Sequence, residues 1–215
     1  MPSAYRVPRF AFAAVLAVSL SGPSWGQELA VSAVALDAHH YLLGAPLTGG
    51  AVALRGGPAG GRFTYRVGGE WLRGHNERTG IPCGGFIQPG TCAPERVRDE
   101  SRLSGANAGA AVRMLGGERA ALALTGDLTV ASIHAETRGL TSGRSIDATK
   151  VLWGMRVGAE GWWAPWPRTP LALELGAAAG KLTPFAADQV LDGYTPFNDG
   201  FSFTRLWVGL TWRGG

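Results

Sequence analysis

The sequence predicts an all-β fold: one eight-stranded antiparallel up-and-down transmembrane β-barrel, with short turns at one end and longer loops at the other. Three observations predict it. Apolar and polar residues alternate with a period of two in most segments, Gly is abundant at 33 of 215 residues, and charged residues make up only 17% of the chain. Helical periodicity is poor. The 46% of apolar residues also argues against a disordered chain.

The first 26 residues are typical of a secretory signal peptide. Arg6 and Arg9 precede an apolar run of 11 residues, and Ser24 and Gly26 supply the small residues of a cleavage site. An uncleaved anchor is less favoured, because a spanning helix needs about 20 apolar residues. We therefore expect residues 1–26 to be removed, and residues 27–215 to form a single barrel domain. The formal net charge of +4 indicates no nucleic-acid partner, because the arginines are scattered singly.

Four segments make up the first half of the predicted barrel. The first, Glu28–Ala38, alternates poorly, and we assign it mainly because the topology needs a strand there. In the second, Val52 and Leu54 oppose Arg55. The third and fourth segments, 62–72 and 107–115, alternate more clearly. Phe, Tyr, Val, Trp and Met occupy one face of these two, and Arg, Glu, Asn and Gly occupy the other.

The second half of the chain alternates most clearly. Its four segments are 121–130, 151–163, 170–180 and 205–213. In 151–163, the sequence VLWGMRVGAEGWW puts Val, Trp and Met on one face, and Gly, Arg156 and Glu160 on the other. Such segments fit either a soluble barrel with an apolar core or a membrane barrel with an apolar exterior. The polar face mixes glycines with single charges, and aromatic residues lie near the strand ends, which favours the membrane barrel.

Link length also favours the membrane barrel. Short links lie near Pro58, Gly117 and Pro165–Pro167. Longer links are expected near His39–Thr48, Asn76–Arg102, Arg138–Lys150 and Ala186–Gly200. Short turns at one end and long loops at the other are the pattern of outer-membrane barrels, in which the short turns are periplasmic.

The charged residues of the polar face are expected to point into the barrel. The predicted inward set is Arg55, Arg62, Arg66, Glu70, Arg113, Asp127, Arg156, Glu160, Glu174 and Arg205. Six are basic and four acidic. The interior of an eight-stranded barrel is just wide enough for side chains to fill it, so we expect these groups to pair as a polar plug. A selective pore is the weaker alternative.

Two cysteines, Cys83 and Cys92, lie in the longest predicted loop. An exported chain meets an oxidising compartment, so we expect a disulfide between them. A metal site is weaker, because neither His nor carboxylate lies between them, and free thiols are the remaining alternative.

A signal peptide, eight alternating strands, short turns, long outer loops and the aromatic C-terminal strand RLWVGLTWR resemble the small outer-membrane barrels of the OmpX and OmpA-transmembrane-domain type. The resemblance covers essentially the whole predicted mature chain. It implies a monomer in the outer membrane of a Gram-negative-type bacterium, in contact with outer-membrane lipid and lipopolysaccharide. It also implies a structural or surface-interaction role, with an extracellular ligand at the loops. We expect no cofactor. One departure is that Trp212 stands three residues before the end of the chain.

Other functions are less favoured by the residues. Some eight-stranded barrels are lipid A-modifying enzymes, so a Ser/His/acid catalytic set is considered. The stretch SIHAETRG contains Ser132, His134 and Glu136. The lipid A deacylase family has a Ser two residues after its His, whereas this chain has Glu136 there. We therefore favour a non-enzymatic protein. Adjacent histidines in DAHHY point apart on a strand and do not indicate a metal site. A soluble periplasmic carrier with a lipocalin-like barrel is the remaining alternative.

Overall fold

The computed structural model describes residues 25–38, 43, 45–58, 61–80, 93–117, 119–166, 169–185, 197 and 199–213. These residues form eight antiparallel strands in a closed barrel. The strands are β1 Trp25–Ala38, β2 Leu47–Pro58, β3 Phe63–Gly80, β4 Glu95–Gly116, β5 Ala120–Gly139, β6 Ser145–Trp163, β7 Leu171–Pro184 and β8 Phe201–Arg213. Each strand pairs with its neighbours in sequence, and β1 pairs with β8, which closes the ring. The predicted eight-stranded up-and-down barrel is thereby confirmed.

The barrel has the inverted polarity that the alternation predicts. Met155 and Val157 face outward and are 60% and 63% exposed, whereas Arg156 and Glu160 face inward and are 5% and 4% exposed. Large apolar side chains cover the outer surface on all the other strands as well, including Leu29, Leu54, Tyr65, Val112, Leu128, Leu175 and Leu206. An apolar surface of this extent requires lipid as its solvent.

One end of the barrel, which we call the turn end, carries both chain termini of the barrel and the three short connections. The opposite end is the loop end. The strands differ in length. β3, β4, β5 and β6 have 18, 22, 20 and 19 residues, whereas the other four strands have 12 to 14. The pairing of β2 with β3 stops at Arg73, but the pairing of β3 with β4 continues to Gly80. The four longer strands therefore extend beyond the barrel rim.

We call this four-stranded extension the protruding sheet. It comprises residues 74–80, 95–101, 135–139 and 145–148. The predicted long links at Asn76–Arg102 and Arg138–Lys150 are therefore wrong over much of their length. Beyond the rim the outer face no longer meets lipid, so polar residues occupy positions on both faces and the period-two signal is lost.

The interior divides into two layers along the barrel axis. Charged side chains fill the layer nearer the turn end, and apolar side chains fill the layer nearer the loop end. We call the second layer the apolar cap; its innermost members, all at most 2% exposed, are Leu36, Leu47, Leu72, Leu103, Ile133, Leu152, Leu182 and Phe197. The cap explains why β1 alternates poorly, because Leu29 and Val31 face outward while Val34 and Leu36 face the cap.

Some predictions fall outside the described residues. They include Cys83 and Cys92 with their disulfide, the adjacent histidines 39 and 40, and nearly all of the signal peptide. β1 begins at Trp25, so the last two residues of the predicted signal peptide continue the first strand in the precursor. Within the described part of the chain, no helix is long and apolar enough to cross a membrane.

Candidate functional site: the charged interior

Eight buried charges form a continuous chain across the interior. We call it the charge chain, and its members alternate in sign. In order they are Glu174, Arg55, Glu160, Arg66, Asp127, Arg156, Glu70 and Arg205. Each is at most 8% exposed. They come from β2, β3, β5, β6, β7 and β8, so six of the eight strands are connected through their side chains.

The first half of the charge chain is centred on two arginines. Arg55 Nη2 lies 2.7 Å from Glu174 Oε1 and 3.2 Å from Glu160 Oε2. Arg66 Nη1 donates to Glu160 Oε2 at 2.7 Å. Glu160 thus accepts hydrogen bonds from two guanidinium groups, and each of these groups also contacts a second carboxylate. This sharing neutralises charge that would otherwise be costly to bury.

Asp127 is the central link. Arg66 donates to it in bidentate fashion, with Nε 2.5 Å from Oδ1 and Nη2 in contact with Oδ2. Arg156 Nε donates to Oδ2 at 2.7 Å. Arg156 continues to Glu70, whose Oε2 lies 3.3 Å from Nη1, and Arg205 Nε donates to the same oxygen at 2.9 Å. Bidentate and charge-assisted hydrogen bonds of this kind are among the strongest in proteins.

Trp207 joins the two ends of the charge chain. Its Nε1 donates to Glu174 Oε1 at 2.6 Å, and its ring lies 4.6 Å from the guanidinium carbon of Arg205. Thr211 Oγ1 donates to the second oxygen of Glu174 at 2.7 Å. The first and last charges therefore have partners of their own, and the indole closes the arrangement into a ring.

The charge balance corrects the predicted inward set. Four arginines and four carboxylates form the charge chain, so it is neutral, whereas the sequence predicted six basic and four acidic groups. The two extra arginines are not part of it. Arg62 is exposed in the turn before β3, and Arg113 is half-buried near the turn end of β4. Parity predicts which face a side chain occupies but not its height along the barrel, and at the turn end an inward position still reaches water.

Inward glycines leave room for these large side chains. A Cβ atom on Gly176 would overlap the indole ring of Trp207, and one on Gly109 would overlap the carboxylate of Asp127. A cavity of about 30 Å³ remains beside Arg55 and Trp207. Arg55 Nε has no partner among the described residues, and a cavity of this size is large enough for one water molecule.

Both ends of the charged layer are closed. Toward the loop end lies the apolar cap. Toward the turn end, the guanidinium of Arg213 stacks 3.4 Å from the centre of the Trp162 ring, and Arg213 Nε lies 3.5 Å from Glu28 Oε1. Described side chains therefore pack against the charged layer at both of its ends.

The residues considered for catalysis lie elsewhere, on the outer face near the rim. His134 Nδ1 is 2.8 Å from Thr149 Oγ1. Among the described residues, neither Ser132 nor Glu136 forms a hydrogen bond with His134. A nucleophile held by a base, which acyl transfer requires, is thus not formed. No group of three or more His, Cys, Asp or Glu in the described ranges could hold a metal ion.

The protruding sheet carries its own polar contacts. On its inner face Asp99 is buried, accepts from Arg78 Nε at 2.6 Å and accepts from Thr137 Oγ1 at 2.6 Å. At its tip, Ser142 Oγ donates to Glu95 at 2.5 Å, and this bond, with the backbone amide of Ser142, holds the pKa of the Glu95 carboxyl below its usual range. The sheet is therefore an ordered extension and not a set of free loops.

Comparison with known proteins identifies the fold. No protein-family model matches the chain, and no curated protein matches it. Among solved structures, the chain is similar to a major outer membrane protein from Thermus thermophilus, with 12% identity, a TM-score of 0.54, and coverage of 87% of this chain and 99% of that one. It is also similar to Ail, the attachment invasion locus protein of Yersinia pestis, crystallised with the heparin analogue sucrose octasulfate (14%, TM-score 0.49, 89% and 98%). A third is Neisserial surface protein A (10%, 0.45, 87% and 96%). At 12% identity the similarity to the Thermus thermophilus protein shows the fold alone, which is that of a small outer-membrane β-barrel.

Proposed function

We propose that the chain is an outer-membrane β-barrel whose packed interior anchors a surface-exposed sheet, and that its role is structural or surface-interacting and not transport. The observation that carries the proposal is the inverted polarity. A neutral, fully paired charge chain fills the inside, and bulky apolar side chains cover the outside. A soluble carrier would need the opposite arrangement, with an apolar cavity inside and the charges in water.

The same proposal assigns an orientation. The chain enters the barrel at the turn end, and the predicted signal peptide leads to the periplasm, so the turn end is periplasmic. The protruding sheet is then extracellular. Its outer face is hydrophilic, with exposed charges of both signs such as Arg96 and Glu100. A rigid, polar and exposed sheet suits recognition of a hydrophilic partner at the cell surface.

Membrane placement is tested by fractionation of cells that express the full chain. The expected result is sedimentation with outer membranes, together with a heat-dependent shift in gel mobility when the barrel unfolds. Recovery in the soluble periplasmic fraction would overturn the proposal and favour the lipocalin-like carrier. N-terminal sequencing of the membrane-bound protein tests the predicted start at Gln27.

Closure of the interior is tested by electrical recording in planar lipid bilayers. Because the apolar cap and the charge chain fill the cross-section, we expect no steady single-channel conductance from the wild-type protein. A useful comparison is the variant Leu72→Gly/Leu103→Gly, which removes two adjacent cap side chains. The closed interior would be contradicted if the folded wild-type protein showed steady conductance as large as that of the double variant.

A lipid A-modifying enzyme remains the alternative function, and the geometry around His134 does not favour it. Mass spectrometry of lipid A from cells with and without the protein separates the two. We expect identical acylation patterns. A difference that the variant His134→Ala abolishes would replace the structural role with an enzymatic one.

A further inference from the structure

Two arginines mark the boundary between the lipid-facing surface and the protruding sheet. On the outer face of β3 to β6, one cross-strand row contains Trp71, Ser104, Ser132 and Val151. Trp71 and Val151 are 49% and 50% exposed and belong to the apolar surface. The next outward row toward the loop end contains Arg73, Arg102, His134 and Thr149. These are the first charged side chains beyond the apolar band on β3 and β4.

Arg98 and Arg138 form an arginine pair farther out on this face, and Arg73 and Arg102 form the pair next to the apolar band. Arg73 and Arg102 are directly opposite each other in the register, and like charges at such positions destabilise a sheet. Arg96 and Arg98, farther from the barrel, each lie 2.8 Å from Glu77. Among the described residues, Arg73 has no ion-pair partner. Arg102, 63% exposed at its side chain, has only Glu100 at 3.8 Å.

We infer that Arg73 and Arg102 together bind a phosphate group of an outer-leaflet lipid headgroup. Opposite side chains on neighbouring strands start about 5 Å apart, so two guanidinium groups can converge on one phosphate and donate several hydrogen bonds to it. The adjoining Trp71 lies where amphipathic rings meet headgroups. A phosphorylated lipid therefore supplies a close anionic partner, which Arg73 lacks among the described residues and Arg102 has only at 3.8 Å. It also supplies the apolar chains that the row below requires.

This inference rests on the proposed outer-membrane placement and deepens it. The probe is purified bisphosphorylated lipid A, compared with the same lipid after removal of its phosphates. Retention of each lipid by the full mature protein is measured by native mass spectrometry from detergent micelles. We expect the wild-type protein to retain the phosphorylated form selectively.

The chain offers a matched control. Arg73→Gln/Arg102→Gln removes the proposed pair on β3 and β4. Arg98→Gln/Arg138→Gln removes a second pair of register partners on the same face, on β4 and β5, with Arg98 four residues beyond Arg102. Both variants lose two positive charges. Lost charge-assisted bonds predict an affinity at least about tenfold weaker for the first variant, and an affinity within about twofold of wild type for the second.

Two results would overturn the inference: equal loss in both variants, or wild-type retention that does not depend on the lipid phosphates. The heat-shift and sedimentation tests show whether the protein is inserted and folded, so they distinguish failure of the lipid site from failure of the proposed function. Protein that inserts and folds but ignores phosphate contradicts the lipid site alone. Protein that does not insert contradicts the membrane placement on which the site depends.

Discussion

Removal of the Asp127 carboxylate should strongly destabilise the barrel. Its side chain is fully buried and accepts hydrogen bonds from both Arg66 and Arg156. The variant Asp127→Asn keeps the shape of the residue but leaves the interior with a net charge of +1. Breaking a buried ion pair from one side costs about 3–5 kcal/mol, because the remaining charge is uncompensated. We expect a loss of this size in the free energy of unfolding.

A second variant separates charge imbalance from loss of contacts. Asp127→Asn/Arg156→Met removes one charge of each sign. Arg66 then retains Glu160 at 2.7 Å, and Glu70 retains Arg205 at 2.9 Å, so the six remaining charges are neutral and paired. Replacement of a buried pair by groups of similar volume is often close to neutral. The double variant should therefore be more stable than Asp127→Asn alone, by about 1–3 kcal/mol.

The assay is equilibrium unfolding in urea from lipid vesicles, followed by tryptophan fluorescence and by the gel mobility shift. Glu136→Gln, at a half-exposed site on the outer face, is the control for loss of a carboxylate and should change stability by less than about 0.5 kcal/mol. The reasoning is refuted if Asp127→Asn unfolds like the control, or if the double variant is as unstable as the sum of the two single variants.

Three further predictions concern other parts of the molecule. Gly176→Ala should lower the free energy of unfolding by about 1–3 kcal/mol, because its Cβ would overlap the indole of Trp207. Gly126→Ala is the control, because its Cβ meets no atom within 4 Å. Equal unfolding midpoints for the two variants would contradict this. Val157→Arg should destabilise the inserted barrel by about 2–4 kcal/mol if its 63% exposed side chain faces the middle of the bilayer, and unchanged stability in vesicles would exclude that. The hydrogen bonds from Ser142 lower the pKa of Glu95 below its ordinary 4.5, so their stabilising contribution is complete above that value and is lost as the pH falls through the lowered pKa. The backbone amides of Thr141 and Ser142 donate to Glu95 Oε2 at 2.7 and 2.9 Å. Their hydrogen exchange should therefore accelerate in Glu95→Gln at neutral pH, and unchanged exchange would count against these bonds.

Alternation in the sequence is sufficient to assign most of the strands that cross the membrane, whereas β1 is assigned mainly from the topology. Arg156 and Glu160 were predicted to face inward because glycines accompany them and Met155 and Val157 take the opposite parity, and the structure has them so. The signal is strong there because lipid on one side and a crowded polar lumen on the other impose opposite demands on alternate residues. The order of the charge chain could not be predicted, because it depends on the stagger between strands.

Two features escaped prediction because the demands change along the barrel axis. In the apolar cap, inward positions such as Leu72 and Leu103 are apolar, although their strands carry charges on the same parity lower down. In the protruding sheet, Val97 and Asp99 share the inner face while Arg96 and Arg98 occupy the outer one, so polarity no longer follows parity. An apolar residue on a charged parity next to an interfacial aromatic, as Leu72 is next to Trp71, is the signal that could have located the cap.

The charge chain also has a consequence for how the barrel assembles. Its longest links join residues far apart in sequence: 135 residues separate Arg205 from Glu70, and 119 separate Arg55 from Glu174. These links cannot form until the first and last strands have met, so an open sheet would carry unpaired charges on one face and apolar residues on the other. Such an intermediate is stable neither in water nor in lipid. Pairing of β1 with β8 and entry into the bilayer should therefore occur as one cooperative event. A half-inserted barrel would leave interior charges unpaired, so it should not accumulate.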